Sequence, residues 1–404
     1  MTAHAMLPGH ERPFDDAYRA DPHRVFTRLR AQQPVHRVEL PDGSAAWLVT
    51  READVRAGLA DPRLSVDKRY AGAGYQGFSL PPALDANLLN LDGEDHLRLR
   101  RLVSKAFTPR HTAGLRPRIE AAAEGLADRL AARIAADGRA DLVAEFAAVL
   151  PLRVIGDLLG VPDADREPFA ALGRQMLAPR RPQDVAEAVG GLHRLLVDLV
   201  AVRRSAPGGD LLSALIAARD EADRLSEDEL VSLAFLILLA GVENTQAVIS
   251  GGVLTLLEHP EQLAALRRDP ALLDEAVEEL LRHAHPNQTA IRRFPTEAVE
   301  IGGVRIPAGE TVLLCLSAAH RDPARYPRAD AFDLHRADKA HLALGHGVHY
   351  CLGAPLARLE LTVAFATLLR RFPGLTLAVP AAELSWNTTF RTHAVRTLPV
   401  TSAG

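Results

Sequence analysis

Apolar residues recur at intervals of three and four along much of the chain, and this periodicity restricts the fold more than any other feature. It runs over Ile119 to Ala136, Val185 to Arg203, Glu227 to Leu257, Leu272 to His283 and Ala354 to Arg371. A period near 3.6 lays an apolar stripe along a helix, so these segments predict buried or amphipathic helices and a mainly α protein. Strand-like pieces are few: Ala46 to Thr50, Val299 to Ile306 around Gly302-Gly303, Thr311 to Cys315, and Leu375 to Val379. They predict small β-sheets attached to a helical body. Pro207-Gly208-Gly209-Asp210 separates two helices, and Arg63 to Leu89 reads as a long loop that acts as a lid or contacts a ligand. With no low-complexity linker and no internal repeat, residues 1–404 are expected to form a single domain.

The central helix has a readable start. Ser226 and Glu229 stand at capping-box spacing immediately before its apolar run. That run, Leu230 to Val242, is shorter than the roughly 20 residues a bilayer requires, so it predicts a buried helix and no membrane anchor. Four polar residues follow, Glu243-Asn244-Thr245-Gln246, before apolar residues resume at Ala247. Such a cluster is costly in a core unless it has partners or meets water, which makes it a candidate functional surface. The net charge of −4 offers no bulk attraction to nucleic acid or anionic lipid. The two cysteines, Cys315 and Cys351, cannot build a disulfide framework, and Met1 to Asp16 lacks an apolar signal core. A reducing cytoplasm is the expected compartment.

The most distinctive segment is Leu344-Gly345-His346-Gly347-Val348-His349-Tyr350-Cys351-Leu352-Gly353-Ala354-Pro355. Its glycines permit close approach of a flat ligand, and Pro355 suits the first turn of the following helix. Cys351 just before a helix start is favoured as a thiolate, the form that binds metals. A zinc site from His346, His349 and Cys351 is a competing reading, although no fourth ligand is spaced nearby. Cys315, inside an apolar strand, reads as core.

The run GHGVHYCLGAPLARLE closely resembles the cysteine-ligand loop of the cytochrome P450 family, as found in soluble bacterial members. Other segments agree over nearly the whole chain, from Trp47-Leu48-Val49-Thr50 to Leu398-Pro399-Val400. The resemblance implies a P450-like triangular fold, with haem b (iron protoporphyrin IX) between the long central helix and the cysteine-ligand helix. Cys351 would be the thiolate ligand of the iron, donating the electron density that favours O–O cleavage. Glu279-Leu280-Leu281-Arg282 resembles the family's ExxR pair, and Arg336 the third member of that buried network. His96 and Arg100 are four apart and share a helix face, so both can meet one haem propionate. Arg293 and His349 match the family's other propionate contacts.

The activity implied is a haem-thiolate monooxygenase that hydroxylates or epoxidises a small hydrophobic secondary metabolite. Electrons would come from a separate ferredoxin or flavodoxin with its reductase. Arg98, Arg101 and Lys105 form a candidate basic patch for that acidic partner. A monomer is expected. Substrate contacts would come from the region of Arg63 to Leu89, Met176 to Val185, Ala240, Asn287 to Ala290, Thr389 and Phe390.

Three positions depart from the family pattern. Asn244 stands where an acid is usually followed at once by a threonine that helps protonate bound dioxygen; Thr245 is one residue later, rotated by roughly 100°. Glu243, Asn244 and Thr245 are therefore the candidates for proton delivery, and the alternatives are oxidative coupling, desaturation or rearrangement without net oxygen insertion, or a haem-binding protein that does not oxygenate. Leu344 replaces a usual phenylalanine beside the cysteine. His320 replaces a usual asparagine, for which the sequence supplies no functional account.

Overall fold

The structure is a computed structural model that describes residues 11–73, 75, 87–104, 107, 109–177, 181–220 and 226–402. Much of the expected loop at 63–89 and part of 176–185 therefore lie outside the described residues, as does Lys105. The chain divides into two compact units, each assembled from three sequence segments.

One unit comprises residues 1–78, 275–351 and 386–395. Strands Val35–Glu39 and Ala45–Val49 pair antiparallel, and the second pairs parallel with Val312–Leu314. Both faces of this small sheet are buried, as expected of a parallel pairing. Val35, Val49, Val312 and Leu314 contribute to one apolar cluster, while Val38, Ala46, Leu48, Leu313 and Cys315 contribute to another. The alternation is the period-two geometry of a strand expressed on two cores. Val299–Ile301 and Val304–Ile306 form a hairpin whose turn places Gly302 and Gly303 at φ of 56° and 79°. Two left-handed residues in a row suit the twist of a tight hairpin, and glycine adopts them without steric cost.

The other unit comprises residues 79–274, 352–385 and 396–404 and is predominantly helical. Glu227–Glu258 runs through it and packs on Val149–Leu159, Pro182–Ser205 and Ala354–Arg371. Its start is the expected capping box. The Glu229 amide donates to Ser226 Oγ at 3.0 Å, and the Ser226 amide donates to Glu229 Oε2 at 2.8 Å. This 32-residue helix is long and apolar enough to cross a membrane by length and composition, yet most of its apolar window is buried against protein. The expected helices are all present, with ends within a few residues except that Ile119 to Ala136 extends to Pro109–Asp137. Ala354–Arg371 coincides with its expected span and carries Pro355 in its first turn. Its other end is tied to Pro109–Asp137, with Arg370 on Glu124 and Arg371 on Glu124 and Asp128. A short sheet orders Ala140–Asp141, Pro399–Ser402 and Leu375–Leu377.

Candidate functional site

The cysteine segment folds as a tight loop held by its own backbone. The Gly345 amide donates to Leu342 O at 2.9 Å, and the Cys351 amide donates to Leu344 O at 2.7 Å. Gly345 and Gly347 adopt φ of 77° and 71°. At Gly347 glycine is also required by proximity, because an added Cβ would come 3.0 Å from Leu59 O and 3.1 Å from the Ala60 Cα. Cys351 is left half-buried, and helix Ala354–Arg371 begins three residues later. Among the described residues no three His, Cys, Asp or Glu side chains converge to hold a metal ion, so the zinc reading from His346, His349 and Cys351 fails. Cys315 is core as expected. It is fully buried, its Sγ donates to Gln288 O at 3.2 Å, and burial pushes its thiol pKa up to about 12.

The same unit holds a dense charge network. Glu279 and Arg282, three apart on helix Leu273–His283, form a bidentate pair with both side chains completely buried. Arg282 gives its remaining donors to His320 O, Ala329 O and Ala331 O at 2.7 to 2.9 Å, so all five guanidinium N–H groups are satisfied. Arg336 donates its Nε–H to Glu279 at 3.1 Å and its other groups to Pro327 O, Arg328 O and Ala331 O. Burial without such pairing would be prohibitive, and the network ties one helix to the irregular segment 327–336. His320 now has a structural account. Its carbonyl receives Arg282, and its Nε2 accepts the Leu342 amide at 3.1 Å, so this one residue links the charge network to the start of the cysteine loop. Desolvation and the neighbouring His285 and His341 hold its imidazole neutral, well below the ordinary histidine pKa.

In the same unit, Arg293 is 3% exposed, and its backbone exchanges hydrogen bonds with Val312 at 2.9 and 2.8 Å. His349 ends the short 3-10 turn Gly347–His349 and is half-buried. In the helical unit, His96 and Arg100 stand on helix Gly93–Ser104, His96 almost wholly buried and Arg100 half-buried. The basic patch expected on this helix is altered. Arg98 is committed to Glu229, with Asp95 3.8 Å away, which leaves Arg101 exposed beside it.

Midway along Glu227–Glu258 an otherwise buried helix becomes accessible at Ala240 and Glu243, and partly at Ile237, Gly241 and Asn244. Thr245 faces inward and is buried. Asn244, not Thr245, thus shares the accessible side, in keeping with the rotation that one residue imposes. Although a water-sized molecule reaches Glu243, protein surrounds most of it, and this desolvation raises its carboxyl pKa. Gly241 sits where helix Val149–Leu159 presses closest, since a Cβ there would lie 2.5 Å from Ile155 Cδ1.

The chemistry of the cysteine loop fits haem: it offers a single cysteine sulfur, half-buried, in a loop where Gly345 and Gly347 keep the backbone uncrowded.

A family model described as Cytochrome P450 matches residues 186–377. Cytochrome P450 107B1 of Saccharopolyspora erythraea is 44% identical over 397 residues, covering 96% of each chain. Mycinamicin IV hydroxylase/epoxidase of Micromonospora griseorubida is 42% identical, covering 93% of this chain and 94% of the relative. The tirandamycin C-bound P450 monooxygenase TamI superposes with a TM-score of 0.87 at 40% identity, over 96% of this chain and 99% of that one. Motif, fold and full-length similarity converge: the chain belongs to the cytochrome P450 family and is a haem-binding monooxygenase.

Proposed function

We propose that this P450 oxidises a small hydrophobic secondary metabolite, by hydroxylation or epoxidation, with Cys351 as the thiolate ligand of its haem iron. The cysteine loop carries the reading: its backbone closes on itself through Leu344, and Gly347 admits no side chain, so the thiol is presented from a fixed frame. His96, Arg100, Arg293 and His349 hold the two propionates. Residues 1–404 act together as one monooxygenase domain, and the protein works as a cytoplasmic monomer. When bound, haem supplies dioxygen activation, and two electrons arrive from a separate ferredoxin or flavodoxin served by its reductase. Arg101 remains available on the face where that acidic partner is expected. Mycinamicin IV, which one relative hydroxylates or epoxidises, and tirandamycin C, bound to another, support the substrate class.

Glu243, Asn244 and Thr245 divide the proton work. Glu243, with its raised pKa and water access, exchanges a proton with solvent. Asn244 shares that accessible side and orders water by hydrogen bonding, though an amide does not relay a proton as a hydroxyl does. Buried Thr245 positions the helix backbone. Ala240, one turn before Asn244, contacts substrate together with Asn287 to Ala290, Thr389 and Phe390.

The test has two parts. The reduced, carbon monoxide-bound protein shows the red-shifted thiolate band, and Cys351→Ser abolishes it; a wild-type protein without that band defeats the ligand assignment. With labelled O₂, the product carries the label, and Asn244→Thr raises the fraction of reducing equivalents that enter product. Asn244 also favours a second reading, in which oxidative coupling, desaturation or rearrangement proceeds without net oxygen insertion. An unlabelled product would select it.

A further inference from the structure

Away from the cysteine loop and the accessible stretch of the central helix, a half-buried guanidinium stands near several acids without pairing with any of them. Arg153, on helix Val149–Leu159, makes no hydrogen bond or ion pair with any described residue. It is half-buried, and burial with the adjacent Arg129 and Arg166 guanidiniums lowers its pKa from the usual arginine value. The acids nearby are already engaged. Asp157 pairs with Arg166 at 2.6 Å, Glu167 with Arg174 at 2.7 Å, and Glu145 with both Arg129 and Arg133 at 3.5 and 3.7 Å. Asp163 also serves Arg166, at 2.8 Å. Arg133 reaches Asp137 as well, at 3.3 Å, so of these five arginines Arg153 is the one that pairs with no acid among the described residues.

Arg153 lines a groove of about 700 Å³ bounded by helices Pro109–Asp137, Val149–Leu159 and Arg166–Leu177. Val149, Leu152, Arg153 and Gly156 present one helix face to it, opposite Phe169 and Ala170. The volume falls within the range of small-molecule sites, roughly 300–1,000 Å³. We propose that this groove is an accessory site for a small monocarboxylic acid with an apolar body, whose carboxylate pairs with the Arg153 guanidinium. The planar fork of arginine donates two parallel N–H groups to the two oxygens of a carboxylate. Val149, Leu152 and Phe169 offer the apolar body a wall, while the four acids around the rim disfavour a dianion.

The experiment uses the haem-loaded enzyme with its iron first saturated by miconazole, so that the haem pocket is blocked. 4-Phenylbutyrate is then titrated calorimetrically, with 4-phenylbutyramide as the uncharged control. One phenylbutyrate binds per chain, the amide binds at least about tenfold more weakly, and Arg153→Met weakens the acid by about tenfold or more. Because the substitution removes an unpaired charge, Arg153→Met melts no lower than the wild type, which separates lost binding from lost folding. The proposal is overturned by an absence of saturable binding to the blocked wild type at about 10 mM, by equal affinity for acid and amide, or by unchanged affinity in Arg153→Met. The acid–amide comparison needs only the wild type, and the titration reads binding and not turnover.

Discussion

Replacing Glu279 by glutamine preserves the shape of a completely buried side chain and removes the only carboxylate among the described residues that pairs with the buried Arg282 and Arg336. Its carboxylate accepts from Arg282 Nη2 and Nε at 2.8 Å each, from the Asp333 amide at 3.0 Å, and from Arg336 Nε at 3.1 Å. Every neighbour is a donor, so a glutamine amide must aim N–H at N–H while two cations lose their compensation. Breaking a buried ion pair from one side costs about 3–5 kcal/mol. Unfolding entropy of about 2.1 cal/mol/K per residue gives about 0.85 kcal/mol/K for 404 residues, so Tm falls by about 4–6 °C. Arg336→Met is the comparison. It leaves the Glu279–Arg282 pair intact and strands the Pro327 and Arg328 carbonyls, a loss of about 2 kcal/mol or about 2–3 °C. Scanning calorimetry on the haem-loaded proteins reads both. A Glu279→Gln protein melting within about 1 °C of wild type, or above Arg336→Met, refutes the account of the network as a compensated cluster.

Glu360 on helix Ala354–Arg371 is 1% exposed, its Oε2 has no hydrogen-bond partner among the described residues, and burial raises its pKa well above the ordinary value. Folding therefore favours its protonated form, and stability falls as pH rises from the ordinary carboxylate pKa towards the raised one. Glu360→Gln removes that slope, so its advantage over wild type in unfolding free energy, read by urea titration, grows between pH 5 and pH 8, by up to about 1.4 kcal/mol per pH unit within the window. A constant difference across that range contradicts the assignment. Gly347→Ala imposes left-handed strain of about 1–2 kcal/mol and a clash with Leu59 O, and it increases the fraction of the carbon monoxide complex lacking the thiolate band. Ser226→Ala removes the cap of the central helix and costs about 1 kcal/mol in urea unfolding, with the oxygenated product unchanged.

The long helices were legible because each repeats its apolar period over several turns, and Ser226 with Glu229 marks where one begins. Cys351, Glu279 and Arg282 were legible as local motifs. Arg336 needed the family pattern, since its partner lies 57 residues away. Strand Val35–Glu39 was missed because its sequence, VHRVE, keeps no simple alternation. Its inward His36 is satisfied by Glu11 and by the Leu29 carbonyl, pairings that no local pattern announces. The commitment of Arg98 to Glu229 and the isolation of Arg153 depend on the relative phase of separate helices. Neither can be read from spacing along one. His320 was conspicuous as a departure, but its meaning lies in two hydrogen bonds to residues 38 and 22 positions away.

The parallel pairing of Ala45–Val49 with Val312–Leu314 has a consequence for how the chain is made. On a ribosome adding about 5–20 residues per second, the first hairpin waits tens of seconds for its third strand, with apolar side chains on both faces uncovered. Over that interval the helical unit between them is emerging, and residues 386–395 come later still. The nascent chain thus carries an unfinished sheet edge for most of its synthesis, the condition in which strand pairing with another chain competes with folding. Slower elongation before residue 312 lengthens that exposure, and chaperone capture of the early hairpin shortens it. Soluble yield of this enzyme should accordingly depend on how its first 50 residues are sheltered, more than on the stability of the finished molecule.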